Sequence, residues 1–115
     1  MAYASLILLL IATPGGTFAI TARNGEPISL GVRNAGSLYS NNCASCHGRD
    51  GGARTSRGRR NHSRNLNDPE WQDRTSDERI FNSIMNGKGR MPGYSRKLSE
   101  SEIDTLVAYV RGLRK

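Results

Sequence analysis

The sequence predicts an all-α fold. Two segments open with capping boxes, Thr75 with Glu78 and Ser99 with Glu102, and each runs on into apolar residues at three- and four-residue spacing. A third, Ser29 to Asn42, sets Leu30, Ala35, Leu38 and Tyr39 along one face, with Val32 at its edge. No βαβ pattern accompanies them. At 115 residues the chain makes one domain at most. Aromatic residues are only 6% of it, so polypeptide alone builds a thin core that a large apolar cofactor would fill.

Taken in order, residues 1 to 22 carry no charged side chain. The apolar run Leu6 to Ala12, then Thr13-Pro14-Gly15-Gly16 and Thr17-Phe18-Ala19, reads as a secretory signal peptide over 1–19, cleaved after Ala19. An uncleaved anchor is the alternative; the run is too short to span a bilayer alone. Export to the periplasm or the outer face of the cytoplasmic membrane follows. Residues 20–30 read as a linker and 31–115 as the folded domain.

The first helix delivers the chain into Cys43-Ala44-Ser45-Cys46-His47. Gly36 would let another element approach its backbone. C-x-x-C-H is the pattern for covalent haem attachment. Residues three apart share one side of a helical turn, so both thiols reach neighbouring vinyl groups of one porphyrin. His47, next to Cys46, can bring an imidazole nitrogen to the iron. A zinc site or a redox dithiol is the rival reading of the two cysteines. Zinc wants more ligands, and the chain has only these two cysteines and one other histidine, His62.

Residues 48–69 read as loop. The arginines at 49, 54, 57, 59, 60 and 64 would form a solvated face, dock an acidic partner, or neutralise haem propionates. The net charge of +7 suits acidic protein partners. Nucleic acid is not expected, because no binding motif is present and aromatic residues are too sparse to stack bases.

The second helix opens at Thr75, buries Ile80, Phe81, Ile84 and Met85, and closes at Gly87. No regular element fits Gly87 to Tyr94. A lone methionine, Met91, stands in this glycine-rich loop before Pro92, where a thioether could face His47 across the iron. Met85 and His62 are the other candidates for that position. In the last helix Leu98 and Ile103 form a hydrophobic staple, and Ile103, Leu106, Val107 and Val110 the buried stripe.

The chain resembles a class I cytochrome c of the short bacterial kind over residues 31 to 114. The resemblance rests on Gly36 with Leu38-Tyr39, Cys43-Ala44-Ser45-Cys46-His47-Gly48, Asp68-Pro69-Glu70-Trp71, Arg90-Met91-Pro92-Gly93-Tyr94, and Leu106-Val107-Ala108-Tyr109-Val110. It implies about three to four helices wrapped around one covalently bound haem. The first and last helices would cross, bringing Ala35, Gly36 and Tyr39 to Leu106, Tyr109 and Val110. It puts Trp71 near a propionate, a position that also suits a half-exposed core tryptophan. Members commonly carry a proline after the haem motif whose carbonyl orients the histidine. Residues 48–68 contain none, so the sequence names no partner for His47.

The function expected is one-electron transfer, with Cys43 and Cys46 as thioethers and His47 and Met91 as axial ligands of one haem c. With both axial positions filled, no enzymatic turnover is expected. A peroxidase would need an open iron and a distal acid–base group, for which His62 is the only other imidazole. An electron-entry role in a membrane oxidase or dehydrogenase complex would keep the same chemistry.

Overall fold

The computed structural model describes residues 33–115. The expected signal peptide, the linker, Leu30 and Val32 lie outside these residues. Among them the chain is helical without a named strand: α1 (Ala35–Asn42), α2 (Ala44–His47), α3 (Ser56–Asn61), α4 (Pro69–Arg74), α5 (Asp77–Asn86) and α6 (Glu100–Arg111).

In the described residues the first helix begins at Ala35, not earlier. The Asn34 side chain accepts from the Gly36 and Ser37 N–H groups and starts it there. Leu38 and Tyr39 are the buried residues of α1. They meet α6, where Ile103 and Leu106 are fully buried and Val107 and Val110 nearly so. The Tyr39 and Tyr109 rings lie 4.7 Å apart at 31°, within the range of favourable aromatic pairs. The expected meeting of α1 with the last helix therefore forms. Among the described residues Gly36 does not serve it: a Cβ there would meet only Asn34 Oδ1, at 3.2 Å.

Residues 48–69 are not all loop, because α3 lies within them. Thr55 Oγ1 accepts from the Gly58 N–H and caps it. Gly58 is the only buried residue of this helix, so it has no apolar stripe for a periodicity argument to detect. Helix α4 follows, with Asp68 accepting from Glu70 and Trp71 and Pro69 in the first turn.

The capping box expected at Thr75 and Glu78 does not form. Thr75 ends α4, and Ser76 takes the cap of α5 by accepting from the Arg79 N–H. Two helices meet at one residue boundary, which displaces the start of α5 by one position. Arg111 fixes this corner: its guanidinium donates to the Gln72 and Thr75 carbonyls, the Gln72 side chain and Asp77. The second capping box forms as expected. Ser99 accepts from the Glu102 N–H, Glu102 accepts from the Ser99 N–H, and Leu98 and Ile103 are both buried.

Candidate haem site

Helix α2 is the attachment turn itself. The Tyr39 hydroxyl donates to the Gly48 carbonyl over 2.8 Å inside the core and ties α1 to its far end. The Thr55 hydroxyl lies within hydrogen-bonding reach of the Ser45 and Cys46 carbonyls, at 2.8 and 3.1 Å. Gly58 presses on the same turn: a Cβ there would collide with the Cys46 carbonyl and stand 2.9 Å from that of Ala53. Helix α3, unseen in the sequence, is thus the back wall of the turn.

His47 has a partner after all. Its Nδ1 lies 3.0 Å from the Arg64 carbonyl. A carbonyl only accepts, so Nδ1 carries the proton and Nε2 keeps its lone pair. Burial lowers the His47 pKa, with the Arg64 bond opposing, so the ring stays neutral near pH 7. The role that a proline carbonyl plays in the expected pattern falls to Arg64.

Met91 sits in a tight turn. Lys88 and Met91 exchange both backbone hydrogen bonds at 3.0 Å. Gly87, at φ +80°, makes the bend, and a Cβ on it would meet the Met91 carbonyl at 2.7 Å. Beyond the turn, the Tyr94 N–H donates to the Ile84 carbonyl over 2.9 Å and anchors the loop on α5.

Cys43, Cys46, His47, Trp71 and Met91 line one cavity of about 870 Å³, within the ~300–1,000 Å³ usual for ligand pockets. Tyr39, Ile80, Ile84, Leu106 and Val110 give it apolar walls. Among the described residues five cationic side chains, Arg64, Arg74, Arg79, Lys88 and Arg90, also line it, and no carboxylate does. His62 is on the lining; Met85 is not, and packs on the core. Of the arginines in 49–64, only Arg64 reaches the lining.

The rival readings of the cysteines lose support. Burial pushes the Cys43 thiol up to about 11, the reverse of the depressed value that a reactive dithiol needs. Among the described residues no three His, Cys, Asp or Glu side chains gather to hold a metal ion.

A family model described as cytochrome C oxidase, cbb3-type, subunit III matches residues 31–110. The chain belongs to this family of c-type cytochromes. The cytochrome is 31% identical over 114 residues to cytochrome c6 of Synechocystis sp., covering 93% of this chain and 88% of that protein. It is 35% identical over 77 residues to the cbb3-type cytochrome c oxidase subunit FixP of Azorhizobium caulinodans, covering 66% of this chain and 25% of FixP. Among solved structures it is similar to the KustC0563 c-type cytochrome, at 39% identity and a TM-score of 0.69, covering 72% of this chain and 100% of that one.

The cytochrome is an electron-transfer protein built on covalently attached haem c. The cavity fits that group: two thiols and an imidazole on one wall, a thioether on another, apolar sides for the ring, and cations for two propionates, of which Arg74 also pairs with Glu70 at 3.2 Å. Sequence reasoning missed Arg74, Arg79 and Lys88 as lining residues. Arg74 and Arg79 flank the α4–α5 corner, and only the fold brings that corner to the cysteines.

Proposed function

We propose that the protein carries single electrons between redox partners on one haem c, held by thioethers to Cys43 and Cys46 with His47 and Met91 as axial ligands. The observation that carries this is one cavity in which, among the described residues, these four side chains meet beside five cations and no carboxylate. Bound there, haem c supplies a one-electron ferric/ferrous couple.

The chain's own residues tune and protect it. The Arg64 carbonyl holds His47 by Nδ1–H and leaves Nε2 for the iron. The neutral, soft thioether of Met91 favours the reduced state. Filling both axial positions leaves none for a substrate, so the protein turns nothing over. Trp71, half-buried against the core and on the cavity lining, would lie near a propionate, and Arg79 on the same lining would help neutralise its charge.

Residues 1–19 act as an export signal, 20–30 as a linker and 31–115 as the cytochrome domain, working in the periplasm or at the outer face of the cytoplasmic membrane. No helix among the described residues is long and apolar enough to cross a membrane. The partners are acidic proteins that dock on the basic stretch from Arg49 to Arg64. The likeness to FixP supports a second reading, electron entry into a membrane oxidase complex; co-purification with membrane subunits would favour it.

The test is an absorption spectrum in both redox states, with intact mass, for the parent and Met91→Ala. The parent should carry covalent haem and a sulfur-to-iron charge-transfer band. The variant should lose the band and show a lower potential. An unchanged spectrum would overturn Met91 as ligand.

A further inference from the structure

We infer that Arg90 is a positioning residue, a latch that holds the methionine turn closed against the end of α3. Its consequence for the iron rests on Met91 being the axial thioether; the latch itself does not.

Arg90 Nη1 donates to the Arg60 carbonyl over 2.7 Å, joining segments 30 residues apart. The end of α3 explains why that carbonyl is free to accept. His62 adopts the left-handed conformation at φ +54°. Its N–H closes on the Arg59 carbonyl and that of Ser63 on the Gly58 carbonyl, the Schellman pattern of a helix C-terminus. These bonds use the carbonyls of Gly58 and Arg59, the two residues just before Arg60. Among the described residues no backbone N–H outside the helix closes on that of Arg60, and a charged donor takes it.

The turn itself needs this hold on one side only. After Met91, the Tyr94 hydroxyl donates to the Asn42 carbonyl and the Tyr94 N–H to the Ile84 carbonyl. Before Met91, Lys88, Gly89 and Arg90 are exposed. Among the described residues a Cβ on Gly89 would meet nothing within 4 Å. Apart from the close packing of Gly87 and the Lys88–Met91 backbone pair, the Arg90 bond is, among the described residues, the one side-chain hydrogen bond that holds this side of the turn. Because Lys88 and Met91 are bridged in both directions, movement of this side carries Met91 with it. Asn61 and His62, beside Arg60, and Arg90 all line the cavity, so the bond joins two segments of its wall.

The experiment compares ferric holoprotein of the parent, Arg90→Ala and Arg57→Ala. Arg57 is an exposed arginine of the same basic stretch and controls for loss of charge. Imidazole is the probe, because it enters only when Met91 leaves. Losing one side chain–backbone hydrogen bond should tighten imidazole binding about fivefold in Arg90→Ala and speed amide exchange at Lys88 and Met91 by a similar factor. Arg57→Ala should match the parent in both. Parent-like values in Arg90→Ala, or the same change in Arg57→Ala, would overturn the latch. If Met91→Ala leaves the spectrum unchanged, the ligand assignment fails instead, and amide exchange alone still decides whether Arg90 holds the turn.

Discussion

The Tyr94 hydroxyl donates to the carbonyl of Asn42 over 2.7 Å. Asn42 is the residue before Cys43, so one hydrogen bond joins the end of the methionine loop to the start of the attachment turn. The two walls of the haem cavity come from sequence segments about 50 residues apart, and this bond keeps them in register. Burial raises the Tyr94 pKa, so the hydroxyl keeps its proton and remains a donor at neutral pH. Tyr94→Phe should lower stability by about 1 kcal/mol in denaturant titration of the holoprotein. A variant as stable as the parent would show that water replaces the donor without loss.

His62 lines the cavity, yet its backbone already has a structural task. It sits in the left-handed region at φ +54° to close α3. That conformation strains an L side chain and suits glycine. His62→Gly should therefore stabilise the protein by about 1 kcal/mol. The spectrum should stay the same in both redox states. Loss of stability together with a changed ferric spectrum would put His62 on the iron in place of Met91.

Acid should weaken the contact between Arg33 and α6. The Arg33 hydrogen bond to Glu102, helped by the Ser99 N–H, brings the Glu102 carboxyl from its ordinary 4.5 down to about 2. A depressed native pKa means that the unfolded chain takes up the proton first as pH falls. The stabilisation is complete above pH 4.5 and disappears as pH drops toward 2. Arg33→Ala should be less stable than the parent at neutral pH and should converge with it across that window. Urea midpoints measured along the pH series would show this; a difference that stayed constant with pH would count against it.

The exposed arginines at 57, 59 and 60 predict that electron exchange with an acidic redox protein slows as salt rises. The rate should fall on the order of tenfold between low and high ionic strength, because screening shortens the range of attraction to ~8 Å or less. Arg57→Glu should lower the low-salt rate. Stopped-flow rates that ignored salt would place docking elsewhere.

The parts of the fold that were legible share a feature: their signal lies in side chains close together in sequence. Ser99 and Glu102 announce the start of α6 because both halves of the reciprocal cap are side chains three residues apart. The apolar stripe of α6 announces its buried face in the same way. Helix α3 was invisible because its contact with the attachment turn depends on Gly58 having no side chain. The sequence places the cap of α5 one residue early because Thr75 has Glu78 three residues on while Ser76 has Arg79, and only the end of α4 at Thr75 hands the cap to Ser76.

The same division holds at the site. Cys43, Cys46, His47 and Met91 are candidates that residue chemistry alone can name, since thiol, imidazole and thioether each carry their reactivity with them, and the fold brings all four to one cavity. The partner of His47 could not. It is the backbone carbonyl of Arg64, a group every residue owns, so no side-chain pattern marks it. The cations at 74, 79 and 88 join the cavity only because α4, α5 and the methionine turn fold back over the cysteines. The sequence by itself determined the cofactor class and the candidate residues for holding it. Tertiary structure alone decided which carbonyls and charges surround them, because hydrogen bonds and cavity walls depend on distance in space rather than along the chain.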